Sequence, residues 1–86
     1  MGGERQVEYG RDAVKMLRTI DSKASKLIRA KVRQYADDPA SLANNVKKLQ
    51  GVEAYRLRVG DDRVIFTETL IVLRVIKIGH RQSIYG

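Results

Sequence analysis

Alternation of polar and apolar residues in Gln6-Val7-Glu8-Tyr9 has the period of a half-buried strand and predicts a short first strand at a sheet edge. Gly10 breaks that pattern. From Asp12 onward, Val14, Leu17 and Ile20 recur at helical spacing with Lys15 and Arg18 facing outward, which predicts a helix over residues 12–19. A second helix follows, with Asp21 or Ser22 supplying the side-chain oxygen that accepts from a free backbone N–H at its start. Along it Ala24, Leu27, Ile28, Val32 and Tyr35 trace one apolar stripe, with Lys23, Lys26, Arg29 and Lys31 outside it or on its rim. Asp37-Asp38-Pro39 ends the helix, because the residue before a proline is driven away from helical angles.

Residues 40–51 read as a connector with one helical turn around residues 41–43. Val46 and Leu49 are its expected anchors, while Lys47 and Lys48 are expected in solvent. Three strands follow at residues 54–59, 63–68 and 70–78, joined by Gly60-Asp61-Asp62 and by a very tight turn near Thr69. The order strand, helix, helix, strand, strand, strand predicts an α+β fold of two layers. Helices cover one face of a small sheet of three antiparallel strands plus the N-terminal strand, and the other face stays partly exposed. At 86 residues, with no repeats or low-complexity stretch, the whole of 1–86 is expected to be one domain, too small for a large internal cofactor pocket.

Composition narrows the chemistry. With 43% hydrophobic and 31% charged residues the chain reads as neither disordered nor membrane-spanning, and its longest apolar runs, 64–66 and 70–73, are far short of a bilayer span. The N-terminus lacks the apolar segment of a secretory signal, so a cytoplasmic protein is expected. With no cysteine and a single histidine, disulfides, thiolate metal sites and a histidine-built zinc centre are excluded, and no cofactor is expected. Seventeen Lys and Arg against ten Asp and Glu give a net charge of +7, which favours polyanionic partners through counterion release.

The cations cluster where they can act together. In Tyr55-Arg56-Leu57-Arg58-Val59, strand alternation turns Tyr55, Leu57 and Val59 into the core and projects Arg56 and Arg58 from the other face, about 7 Å apart. That spacing is close to the repeat of an extended phosphate backbone. Arg63 follows on the next strand or its turn, and Gly79-His80-Arg81 leads to Ile84-Tyr85 after the last strand. Arg56, Arg58, Arg63 and Arg81 can therefore converge on one surface.

These residues resemble the RelE/ParE superfamily of toxins from type II toxin-antitoxin modules, over nearly the whole chain. The resemblance rests on Asp38-Pro39, Leu49-Gln50-Gly51, the strand Tyr55 to Asp61, Arg63-Val64-Ile65-Phe66, and Gly79-His80-Arg81 leading to Tyr85, taken in that order and spacing. The C-terminal part looks like the RelE branch, a ribosome-dependent endoribonuclease (mRNA interferase) that cuts messenger RNA in the decoding site and so inhibits translation. The ParE branch instead poisons DNA gyrase. What the RelE resemblance implies is a metal-independent catalytic set of Arg63, Arg81 and Tyr85, with Arg56, Arg58 and His80 holding substrate. It also implies a cognate antitoxin that wraps the toxin, contacts with ribosome-bound message and ribosomal RNA, no membrane, and a free toxin that is monomeric.

The implied chemistry is attack of a ribose 2′-hydroxyl on the adjacent phosphorus with loss of the 5′-oxygen. It gives a 2′,3′-cyclic phosphate and a 5′-hydroxyl through a phosphorane whose extra negative charge guanidinium forks stabilise. Tyr85 can stack on a base or transfer a proton. The chain departs from well-known members, which carry lysines at the two strand positions. A guanidinium does not readily lose a proton, so Arg56 and Arg58 do not serve as bases, which leaves His80, Tyr85 or no base at all. Asp62 replaces an aromatic residue common in relatives, and the turn near Thr69 is shorter than usual. The plainer alternatives are that Arg56 and Arg58 form an ordinary solvated strand face, that His80 is a turn residue and that Tyr85 packs. On those alternatives the chain is a basic nucleic-acid-binding module without catalysis.

Overall fold

The structure, a computed structural model, describes residues 5–80. Its elements run β1 (Gln6–Tyr9), α1 (Arg11–Thr19), α2 (Ser22–Asp37), a 3₁₀ helix (Pro39–Asn45), β2 (Val46–Lys48), β3 (Tyr55–Val59), β4 (Asp62–Glu68) and β5 (Val72–His80). The strands form one sheet in the order β1-β5-β4-β3-β2. β2 through β5 pair antiparallel with their neighbours, and β1 pairs with β5 in parallel. The α+β class and the three antiparallel strands are as the sequence predicts, but the sheet is larger and mixed. The parallel pairing follows from topology: the chain leaves β1 at one edge, crosses in the two helices, and begins β2 at the opposite edge, so β1 meets β5 only after the rest of the sheet is laid down.

Local chemistry sets the ends of these elements. Asp21 caps α2, its carboxylate accepting from the Ala24 N–H at 3.3 Å. In the β3–β4 hairpin Val59 faces Asp62, leaving Gly60 and Asp61 as a two-residue loop in which only Gly60 has positive φ, +60°. A glycine in the left-handed region at the first loop position is what a tight hairpin matching the sheet twist demands. The β4–β5 turn is held by Thr69, whose Oγ1 accepts from the N–H groups of Ile71 and Val72 at 3.2 and 3.0 Å. Leu70 and Ile71 consequently lie in the turn, 94% and 70% exposed, and β5 begins at Val72 rather than at residue 70.

Helices pack on one sheet face. Phe66, Ile28, Leu57, Leu73, Val32, Val64 and Val75 are completely buried between the layers, with Tyr35 and Tyr55 flanking Phe66 at ring-centroid distances of 5.2 and 5.6 Å. The buried face of α2 is Ser25, Ile28, Val32, Tyr35 and Ala36, rotated from the predicted stripe, and Leu27 is exposed. On α1 Ala13 and Leu17 carry the burial. The opposite sheet face has a small apolar patch of its own, where Ile65 and Ala54 are buried under Leu49. The segment from Leu49 to Ala54, closed by the Leu49 N–H donating to the Ala54 carbonyl at 2.9 Å, folds over that patch and leaves the rest of the face open. Among the described residues no helix is long and apolar enough to cross a membrane.

Candidate nucleic-acid interface

The site is built from strand alternation in the middle of the sheet. Leu57 and Val59 of β3 are buried toward the helices, so Arg56 and Arg58 project from the open face. Arg58 stands directly opposite Arg63 of β4, and Arg56 opposite Lys47 of β2. Residues directly opposed on antiparallel strands share a face, with Cα atoms about 5 Å apart. Two cross-strand pairs of cations therefore lie side by side. Such like-charge pairs destabilise a sheet by up to about 1 kcal/mol each when nothing neutralises them. A fold selected for stability alone would place carboxylates there.

No carboxylate does so among the described residues. Ion pairs join Arg5 to Glu68, Arg33 to Asp37, Lys48 to Glu53 and Arg74 to Glu8, and none involves Arg56, Arg58, Arg63 or Lys47. Arg63 is held by backbone instead: its Nη1 donates to the carbonyls of Asp62 at 3.1 Å and Gly60 at 3.3 Å. The tight hairpin loop thus orients that guanidinium while leaving its charge unneutralised.

Arg56, Arg58, Arg63 and Lys47, together with Asn44 and Asn45, line a concavity of about 290 Å³. This is at the small end of the range for small-molecule sites, roughly 300–1,000 Å³, and its wall is polar and cationic rather than apolar. What the arrangement can do chemically is hold one or two phosphates by charge-assisted hydrogen bonds and stabilise added negative charge on one of them.

Of the residues singled out in the sequence, Arg56, Arg58 and Arg63 come together. Arg81 and Tyr85 lie outside the described residues. His80 is exposed at the end of β5 and registers with Asp62 and, through it, Val59, whereas Arg58 and Arg63 register with Gly79. That places His80 one pleat away from the arginine row, not among the residues lining the concavity. Lys47 is exposed, as the sequence predicts, and lines the concavity together with Asn44 and Asn45, which no sequence pattern singles out. The signal that finds them is the strand β2, three residues long and too short to show a period, which swings the end of the 3₁₀ helix alongside Arg56 and Arg58. Among the described residues no group of three or more His, Asp or Glu is placed to hold a metal ion.

Two phenols away from this face are perturbed. Burial raises the pKa of Tyr35 above its ordinary value, and Glu68, which accepts its O–H at 3.3 Å, raises it further. Burial likewise raises that of Tyr9, offset in part by Arg29, whose guanidinium lies 5.5 Å from its ring centroid, and by Arg33.

No protein-family model matches the chain, and no curated protein matches it by sequence. Solved structures do match in three dimensions. The archaeal RelE–RelB complex from Pyrococcus horikoshii OT3 superposes with a TM-score of 0.77 at 23% identity, covering 94% of this chain and 99% of that one. An arginine-to-alanine double mutant of the E. coli toxin RelE in the free state gives 0.72 at 23% identity, over 96% and 87% of the two chains. The E. coli DinJ–YafQ toxin-antitoxin complex gives 0.64 at 21% identity, over 96% and 99%. From β1 through β5 this chain shares its fold with these RelE and YafQ structures.

Proposed function

We propose that the chain is the toxin of a type II toxin-antitoxin module and acts as a RelE-like ribonuclease on ribosome-bound message. The observation that carries this reading is the convergence of Arg56, Arg58 and Arg63 on one open face with no carboxylate paired to them. Arg56 and Arg58 grip consecutive phosphates, and Arg63, oriented by the Gly60 and Asp62 carbonyls, meets the one that reacts. As the 2′-oxygen bonds to phosphorus and the bond to the 5′-oxygen breaks, the phosphorane gains negative charge that preplaced guanidinium groups stabilise. One proton leaves the 2′-hydroxyl and one reaches the departing 5′-oxygen. Arg81 and Tyr85 follow β5 in the chain and complete the assignment, Tyr85 by stacking or proton transfer, and His80, one pleat from the arginine row, holds substrate beside it.

The fold's neighbours include toxins in complex with antitoxins, which supports a cognate antitoxin as partner. Such a partner would cover a face whose uncompensated cations attract an acidic chain.

The test is to map message ends after a pulse of expression, with and without active ribosomes. Arg63→Ala is expected to lower ribosome-dependent cleavage by at least about 100-fold, the usual cost of removing one stabiliser of transition-state charge. Arg81→Ala and Tyr85→Phe are expected to do the same without unfolding the domain. Intact message accompanied by double-strand breaks with purified gyrase would replace this reading with ParE-like inhibition. A second reading, RNA binding without cleavage, is favoured by one observation: the six residues lining the concavity are three arginines, one lysine and two asparagines, with no histidine or carboxylate among them. It predicts salt-sensitive RNA binding and no cyclic-phosphate ends under any condition.

A further inference from the structure

The wall of the arginine concavity is not uniform. Its cations offer hydrogen-bond donors only, whereas the amides of Asn44 and Asn45 each carry an acceptor beside a donor. They are the last two residues of the 3₁₀ helix, and their place is fixed at both ends. Val46 at the helix end donates its N–H to the Ala43 carbonyl, and β2 then pairs immediately with β3 through Val46 and Leu57. Neither amide is engaged in a side-chain hydrogen bond among the described residues, although nearby Ser41 and Gln34 bond to each other at 3.0 Å. The half-buried Asn45 directly precedes β2 and lines the same concavity as Lys47, Arg56 and Arg58.

Cations locate a phosphate but cannot tell one nucleotide from another, and discrimination requires groups that match donors and acceptors on a base edge. A planar amide does this, pairing most favourably with the adjacent amine and ring nitrogen of adenine. We infer that Asn44 and Asn45 are a base-reading wall, selecting adenine in the RNA whose phosphates rest on Arg56, Arg58 and Arg63. This rests on the RNA-binding reading above and adds a specificity to it. The amides and the arginines line one concavity of about 290 Å³, so a base next to the bound phosphate meets the amide acceptors within the same site.

The test is binding of the whole chain to fluorescent RNA oligomers of eight adenylates, uridylates or cytidylates at one fixed salt concentration. Wild type is expected to prefer the adenylate by about 5-fold to 100-fold, the range of one good bidentate base contact. The double variant Asn44→Ala/Asn45→Ala is expected to bind all three alike, at the wild-type affinity for uridylate and with an unchanged melting temperature. Arg58→Ala should weaken binding to all three by one common factor and keep the preference. An equal affinity of wild type for the three oligomers, with binding intact, overturns the base-reading wall and leaves the RNA-binding reading standing. A preference that survives in the double variant also overturns it. Absence of binding to any oligomer overturns both readings. Asn45→Asp gives a separate check, since it keeps the shape and the acceptor but loses the donors: the adenylate preference should fall while the fold is retained.

Discussion

At the scale of single residues, the arginine face sacrifices stability for charge. Arg58 opposite Arg63 and Arg56 opposite Lys47 are arrangements that a sheet tolerates only at a cost of several tenths of a kcal/mol each. Replacing Arg58 with Thr, a good strand former, is therefore expected to raise the stability of the free chain by about 0.5 kcal/mol while weakening RNA binding. Denaturant midpoints paired with binding isotherms measure both; a variant that loses stability, or binds as well as wild type, removes the case for a binding-selected pair. Inorganic phosphate or RNA should stabilise wild type more than the Thr variant, because a ligand adds stability only to the state that binds it.

Elements depend on a few fixings that hold the site's frame. Gly60 occupies the left-handed region, and the loop it forms supplies a carbonyl that orients Arg63. Gly60→Val puts a branched side chain at a φ it strongly disfavours, with an expected loss of about 1–3 kcal/mol and a lower activity at any temperature where the variant is folded. Comparison with Gly60→Asn, which tolerates that φ better, separates backbone strain from any other effect of the side chain. On the other side of the sheet, Glu68 joins three segments. It pairs with Arg5 beside β1, accepts from Tyr35 of α2 and lies at the end of β4. Because both members of the ion pair are largely shielded from water, Glu68→Ala leaves a partly buried guanidinium and phenol without their acceptor. The expected cost is about 1–3 kcal/mol, read from chemical unfolding.

Across the whole molecule, one core between the helices and the sheet supports everything above it. Phe66, 1% exposed and flanked by two tyrosine rings, is the largest of its fully buried side chains, and Phe66→Ala is expected to destabilise by about 3–5 kcal/mol, a large fraction of the stability of a domain of this size. The same core sets a pH limit. Tyr35 is held protonated by burial and by Glu68, so its folded pKa lies above its unfolded value near ~10. Below that unfolded value both states keep the proton and the contribution to stability is complete. As pH rises from there through the folded pKa, the unfolded chain binds fewer protons and the contribution is lost. Unfolding free energy should therefore decline above about pH 10, and Tyr35→Phe should flatten that decline; an unchanged slope in the variant would assign the alkaline loss to Tyr9.

The sequence by itself determined what short-range physics can determine. Side-chain alternation in β3 placed Leu57 and Val59 inward with Arg56 and Arg58 outward, a short oxygen and a proline bounded α2, and a glycine set the β3–β4 hairpin. Each depends on neighbours a few residues away. Tertiary structure decided the rest, where partners are distant in the chain. The parallel pairing of β1 with β5, the recruitment of β2, the rotation of the buried face of α2 away from Leu27, and the meeting of Asn44 and Asn45 with Arg63 all depend on which surfaces the sheet brings into contact. An apolar pair such as Leu70-Ile71 reads as the start of a strand until Thr69 binds the turn's N–H groups, and a three-residue strand has no period to read at all.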